Sequence, residues 1–371
     1  MADEHSEPEE KVMDFSFENR LMSVQKMIDS DQLDGILFSS LENIRYLCGF
    51  TGSDGVLILT QKGSFFLTDS RYWTQADEEV KSSQIVHYRK KLDGITSLLL
   101  ELKLEKIGFE SPAFPFSNYQ YLSEKLAHQG AFIPLENELK NLRALKGAQE
   151  LDLIRKAIDI ASKSFLHIIE RIEEGVLERE IAMEMEFFMK RNEAEGIGFD
   201  IIVASGKRSA LPHGRAGMKR IERGDLILID YGTSFQGYHS DETCTVVFGS
   251  PSSEQKKIYQ IVKDAHDKAV ERVRPGIPIQ EVDQAAREHI RQSGYGEYFG
   301  HGTGHGVGLA VHEDPTVNSE NKGLIQEGMV FTIEPGIYIP GWGGVRIEDM
   351  VWVAPQGAEV LTYLPKELRE I

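Results

Sequence analysis

The stretch HGTGHGVGLAVHE, His301–Glu313, holds three of the chain's eleven histidines and four glycines within thirteen residues. His301 and His305 have the spacing of one helical face. Gly302, Gly304 and Gly306 oppose a helix, since each glycine inside one costs about 1 kcal/mol. Glycines at this density point instead to a backbone that another group approaches closely. Val307–Glu313 reads as a strand leaving that loop. His305 and His312 are seven residues apart, so a straight strand sends them to opposite faces. The expectation is one metal ligand and two polar helpers, with their assignment open.

The flanking sequence carries acids in a pattern. Upstream, GDLILIDYGTSFQGYHSDETCTVVFG, Gly224–Gly249, contains two apolar runs that read as a hairpin. A four-residue turn at Ser234–Gly237 sets Thr233 against Tyr238 and Asp230 against Asp241. Directly opposed side chains lie about 4.5–5.5 Å apart at Cβ. Downstream, GMVFTIEPGIYIPGWGGVRIEDMVWVA, Gly328–Ala354, with its turn centred on Gly341, sets Glu334 against Glu348. Facing like charges on a half-buried sheet are destabilising. No lysine is close in sequence to either pair, so a divalent cation is the simplest compensation. Carboxylates with histidine suit Mn, Co, Fe or Zn. One such hairpin is an ordinary pair of surface acids. Two, with a histidine cluster between them, are more than that. His213, in ASGKRSALPHGRAG, gains interest only from the hairpin that follows it.

The same region contains a degenerate repeat. EEGVLEREI, Glu173–Ile181, and RPGIPIQEV, Arg274–Val282, each follow a long helical pattern. Gly175 matches Gly276, Glu180 matches Glu281 and Ile181 matches Val282 at one offset. A second helix and glycine-punctuated strands follow each copy.

The N-terminal third has a different texture. DGILFSS (Asp34–Ser40), GVLILT (Gly55–Thr60), SFFLTDS (Ser64–Ser70) and KIGFE (Lys106–Glu110) read as strands. Arg20–Leu33 and Gly94–Lys106 read as amphipathic helices, giving a small α/β domain. The polar stretch near Glu136–Gly147 reads as a linker, and Ala148–Ile172 as a long helix. At 371 residues the chain is expected to form two domains. MADEHSEPEE has neither the basic nor the apolar region of a secretion signal and reads as a disordered tail. A net charge of −18 argues against nucleic acid and anionic membranes as partners. Cys48 and Cys244 form no metal spacing or disulfide framework, which fits a reduced, cytoplasmic setting.

Together SALPHG, IDYGTSFQGYHSDETCT, HGTGHGVGLAVHE and TIEPGIYIPGWGGVRIED resemble the pita-bread metallopeptidases, the creatinase, prolidase and Xaa-Pro aminopeptidase type. LDGILFSSLENIRYLCGFTGSDG and FLTDSRYWTQA resemble the creatinase-type N-terminal domain. The resemblance implies an α/β creatinase-like domain over 15–138 after an acidic tail at 1–14. A linker at 139–147 and an α+β pita-bread catalytic domain over 148–371, with an internal pseudo-twofold repeat, would follow. It implies that Asp230, Asp241, His305, Glu334 and Glu348 bind two divalent ions, with manganese favoured. Asp241 and Glu348 would bridge both ions. His312 would stabilise the tetrahedral intermediate, His213 and His301 would line the pocket for the penultimate proline, and Arg346 would support the site. Glu334 would act as proton carrier. The expected activity is that of an Xaa-Pro aminopeptidase, with an Xaa-Pro dipeptidase (prolidase) as the alternative and a non-catalytic module as a remote one. A homodimer is expected, with Arg71, Tyr72 and Trp73 as a candidate contact. The family usually has arginine between the threonines after the second aspartate. Here Cys244 stands between Thr243 and Thr245, and strand alternation makes it a small core residue.

Overall fold

The computed structural model describes residues 16–127, 130–136, 138–139 and 141–371. The acidic tail expected at 1–14 lies outside the described residues. The chain divides into two compact units, Met1–Leu139 and Lys140–Ile371.

In the first unit a six-stranded mixed sheet runs in the order Gln84–His87, Gly63–Thr68, Val56–Thr60, Gly35–Phe38, Lys106–Glu110, Ala131–Leu135. Gly35–Phe38 and Val56–Thr60 are buried at every position. That matches their unbroken apolar runs, since a central strand covered on both faces has no reason to alternate. The helix expected from Arg20 begins at Phe17, because Ser16 caps it by accepting from Asn19 N–H, and it buries Leu21, Val24 and Ile28. The helix expected from Gly94 runs Lys91–Leu102 and ends at Lys103 in the left-handed region.

The second unit is built on the repeat. Helices Glu178–Arg191 and Ile279–Gln292 each have 14 residues. Each is entered through a left-handed glycine, Gly175 at φ 88° and Gly276 at φ 83°. Gly175 N–H donates to Ile221 O and Gly276 N–H to Ile325 O, both at 2.8 Å. Ile181 and Val282 are buried at the same step of the two helices. Gly224 and Gly328, both at φ 89°, then lead into strands Leu226–Tyr231 and Val330–Ile333. Each strand sits in its own sheet over its own core. One core gathers Phe165, Ile181, Met185 and Tyr231, and the other Ile258, Val282, Phe331 and Val351. Residues 141–147, from the stretch expected as linker at 139–147, fall within this unit. Leu145 bridges to Met329, and buried Lys146 places Nζ 2.7 Å from Glu313 Oε1.

Two expectations fail here. In the first hairpin the strands pair Ser234 with His239 and Phe235 with Tyr238, so the turn has two residues, not four. Gln236 and Gly237 both take positive φ, 45° and 77°, the geometry that suits a two-residue hairpin turn. Asp230 therefore stands opposite Thr243, and Asp241 lies two residues away along the partner strand. A two-residue shift preserves the face, so both acids still point the same way. The second hairpin has the expected register, with Gly336 opposite Arg346 and Ile333 opposite Asp349, which brackets Glu334 and Glu348. The strand expected at Val307–Glu313 is instead a bent segment between strands Gly304–Gly306 and Glu313–Val317. Among the described residues no helix is long and apolar enough to cross a membrane.

Candidate metal centre

Strand ends deliver the acids to one place. Asp230 is the last but one residue of Leu226–Tyr231, and Asp241 immediately precedes strand Glu242–Val247. Glu334 follows Val330–Ile333, and Glu348 precedes Asp349–Ala354. His305 is the middle residue of Gly304–Gly306. Its flanking glycines have a steric cause. A Cβ on Gly304 would overlap the carbonyl oxygen of Thr332, and one on Gly306 that of Asp314. The close approach expected of these glycines is therefore to neighbouring strands, and it sets His305 into the sheet.

Ligand atoms of Asp241, His305 and Glu348 lie within 4.8 Å of one another. His305 Nε2 is 3.5 Å from Asp241 Oδ2 and 3.5 Å from Glu334 Oε1. His305 Nδ1 is 3.2 Å from Gly306 O, so donation there leaves the Nε2 lone pair facing the acids. Asp230 completes the group through the shared cavity of about 510 Å³, which is also lined by His213, His301, His312, Arg215 and Arg346.

Burial leaves the acids short of positive charge. Loss of water pushes Glu334 up to about 7 and raises Asp230, against the pull of Arg346. Asp241 and Glu348 are driven well above the usual carboxylate range, first by burial and then by neighbouring acids. Asp230 Oδ1 and Glu348 Oε1 are buried with no protein hydrogen-bond partner. Buried polar atoms normally find partners. Two orphaned carboxylate oxygens beside a histidine lone pair form an oxygen-rich donor set that fits divalent ions. Burial also lowers His305 and His312, keeping both imidazoles neutral.

His312 comes to His305 because the segment between them bends, and their ring centroids are 4.3 Å apart. The opposite-face expectation fails with the straight strand that it assumed. His301 belongs to a polar chain. Arg346 Nη1 donates to Tyr338 Oη at 2.9 Å, and Tyr338 Oη lies 3.0 Å from His301 Nε2. His301 Nδ1 is 2.8 Å from Gly302 O. Tyr338 is held as the phenol, pushed up to about 12 by burial, so it donates to Nε2. Burial lowers His301 to about 4.

Arg346 is 3% exposed, and each of its three guanidinium nitrogens has a partner. Besides Tyr338 it donates to Asp230 Oδ2, to Thr243 Oγ1 at 3.0 Å and to Pro212 O at 3.1 Å. The compensating charge for Asp230 thus comes partly from the chain, although no lysine is near in sequence. Thr243 Oγ1 donates to Glu348 Oε2 at 2.7 Å, linking the two hairpins. Cys244 points away from the site and is 7% exposed among Ile160, Phe165 and Tyr231. Sequence reading missed Tyr338 and Thr243. Tyr338 was within reach, because alternation places residues 334, 336 and 338 on one face.

Residues 152–355 match Metallopeptidase family M24, and residues 20–145 match the Creatinase/Prolidase N-terminal domain. The chain is 41% identical to the Xaa-Pro dipeptidase of Pyrococcus horikoshii, over 94% of this chain and 98% of that one. Among solved structures, the Xaa-Pro dipeptidase from Bacillus anthracis superposes with a TM-score of 0.93 at 41% identity, covering 96% of this chain and all of that one. The X-Pro aminopeptidase from Thermotoga maritima superposes with a TM-score of 0.85 at 38% identity, covering 92% and 98%.

Proposed function

Because this chain belongs to metallopeptidase family M24, we propose that it is an Xaa-Pro dipeptidase, a prolidase that splits an N-terminal residue from a C-terminal proline. Asp230, Asp241, His305, Glu334 and Glu348 hold two divalent ions in this reading, with manganese favoured by the oxygen-rich set. The observation that carries it is the meeting of these five residues with His213, His301 and His312 in one cavity. The aminopeptidase expected from sequence becomes the second reading, supported by the 38% identity to an X-Pro aminopeptidase. The dipeptidase has the stronger support, from relatives of that description at 41% and 42% identity over nearly the whole chain.

Bound divalent ions supply Lewis acidity, lowering the pKa of a water and polarising the scissile carbonyl. Glu334 takes a proton from the attacking water at its carboxylate and passes it to the leaving proline nitrogen. The dry surroundings that push this carboxyl up to about 7 suit a group that takes and returns a proton. Neutral His312 donates to the carbonyl oxygen as negative charge develops there. His213, Phe199, Ile202 and Pro212 wall the cavity. Such a wall suits a proline ring, whose imide nitrogen brings no N–H to satisfy.

A dipeptide also brings a free carboxylate. Arg346 is committed to Asp230, so Arg215 is the lining guanidinium with donors to offer. Its side chain is 85% exposed, with Asp200 at 3.4 Å as a weak partner. Its backbone is fixed, since Arg208 Nη2 donates to Arg215 O at 2.7 Å. A homodimer belongs to the same reading, with Trp73 still 40% exposed, and light scattering tests it. A cytoplasmic setting rests on two free, buried cysteines.

The test strips metal with EDTA, restores Mn²⁺, and compares Ala-Pro, Ala-Pro-amide and Ala-Pro-Ala. A dipeptidase cleaves the first and neglects the others. Arg215→Ala should raise KM for Ala-Pro about tenfold or more with kcat largely kept, the size of a lost charge-assisted hydrogen bond. Equal cleavage of Ala-Pro-Ala would install the aminopeptidase instead.

A further inference from the structure

Behind the metal-ligand carboxylates lies a second charged cluster that the reaction does not use. Glu242 follows Asp241 in sequence, and Asp349 follows Glu348. Neighbouring residues on an extended chain point to opposite sides, so each ligand acid has a partner acid on the far side of its strand. Glu242 is 1% exposed and Asp349 4%. The two sit on strands of different sheets, one from each half of the repeat. Two buried carboxylates at this place would repel and part the strands.

Lys366 stands between them. Its Nζ donates to Glu242 Oε1 at 2.6 Å and lies 3.1 Å from Asp349 Oδ1. Other side chains gather around the same two acids. Glu242 Oε2 accepts from Ser162 Oγ at 3.0 Å and Tyr231 Oη at 2.9 Å. Asp349 accepts from Thr362 Oγ1, and its Oδ2 lies 3.0 Å from His266 Nε2. The segment that carries Lys366 is itself fastened. Strand Arg369–Glu370 pairs parallel with Val246–Val247, and Ile371 N–H donates to Val247 O at 2.9 Å.

We propose that Lys366 is a positioning residue for the metal centre. By clamping Glu242 to Asp349 it fixes the separation of Asp241 and Glu348, two of the acids that would hold the ions. The ammonium does so without touching substrate or metal. A cavity of about 260 Å³ lies alongside, lined by Phe165, Cys244, Tyr259 and Lys366. Without the charge that links them, the two strands have this space to relax into. The proposal rests on the metal-ligand roles of Asp241 and Glu348.

The test measures Mn²⁺ affinity by titration calorimetry on the EDTA-stripped full chain, alongside melting in EDTA and steady-state kinetics at saturating Mn²⁺. Lys366→Met keeps the stem and removes the charge. Its Mn²⁺ affinity should fall about 10–100-fold, the usual effect of losing an outer-shell partner. At saturating metal the loss should appear in kcat, with KM for Ala-Pro nearly unchanged. Lys366→Arg should restore most of the affinity, which a purely steric role would not give. Should Lys366→Met fail to fold, Glu242→Gln weakens the same clamp while leaving the lysine, and should lower the affinity several-fold. A folded Lys366→Met, or Glu242→Gln in its place, that melts lower in EDTA yet binds Mn²⁺ as tightly as the parent would overturn the positioning role. A parent chain that binds no Mn²⁺ would overturn the metal reading itself, and this one with it.

Discussion

Replacing Arg346 by methionine separates the charge of the site from its shape. Arg346 is buried, and Asp230 Oδ2 depends on it while Asp230 Oδ1 has no protein partner. Removing one member of a buried ion pair costs about 3–5 kcal/mol, because the other is left uncompensated. For a domain of roughly 150–250 residues each kcal/mol moves Tm by about 2–4 °C. Arg346→Met should therefore melt about 6–20 °C lower in EDTA at pH 7. The deficit should depend on pH in a definite direction. Burial already raises Asp230, and loss of Arg346 raises it further. The folded state then binds a proton that the unfolded state has released, so stability falls as pH rises from about 4 through the folded pKa. The deficit should shrink as pH falls and Asp230 takes up its proton. It should also shrink under saturating Mn²⁺, whose charge replaces the guanidinium. Scanning calorimetry at pH 5, 6 and 7, with EDTA and with Mn²⁺, reads all of this. A deficit that ignores both pH and metal would show that Arg346 matters for its bulk alone, and the charge reasoning would fall.

Two further outcomes follow from burial. His301 sits at about 4, below the ordinary histidine value near 6.5, so the unfolded chain binds the extra proton between those values. Stability in EDTA is fully present above pH 6.5 and should decline by about 3 kcal/mol from this group as pH falls to 4. His301→Gln should flatten that part of the urea-midpoint profile, and an unchanged profile would refute the assignment. Burial pushes both cysteine thiols up to about 12. Iodoacetamide at pH 8 should label neither Cys48 nor Cys244 until denaturant is added, as mass spectrometry would show.

Much of the site was written in local patterns. The second hairpin's register followed from one glycine, because Gly341 takes φ 81° at the centre of its turn. The first hairpin's register failed on Gln236, a residue type that gives no warning of a positive φ. The error was two residues, an even number, so the facing acids survived it. The repeat was legible because the same left-handed glycine opens each copy. The bend at Val307–His312 was hidden by an apolar composition that reads equally as strand. Its outer end is held by backbone pairing from afar, His239 N–H donating to Gly308 O at 2.8 Å. Lys366 was beyond reach for the same reason: no period or turn signal connects residue 366 with 242.

The pseudo-twofold explains why the site needs ties that sequence does not advertise. Each half ends an apolar strand in an acid, Asp230 in one and Glu334 in the other, and brings a second acid, Asp241 or Glu348, back beside it. Four acids meeting at one seam drive the halves apart unless opposite charge is placed there. Arg346, from the second half, reaches Asp230 of the first. Thr243, from the first, donates to Glu348 of the second. Lys366 joins Glu242 to Asp349 on the reverse face. These ties cross the seam in both directions, and removing one partner of a buried ion pair is costly because the other is left uncompensated. The chain therefore folds its two halves into a geometry that is only partly neutralised. The orphaned oxygens of Asp230 and Glu348 mark where the rest of the charge belongs. Metal binding should accordingly raise stability as well as switch on catalysis, because the ions complete a seam that the protein has closed everywhere else.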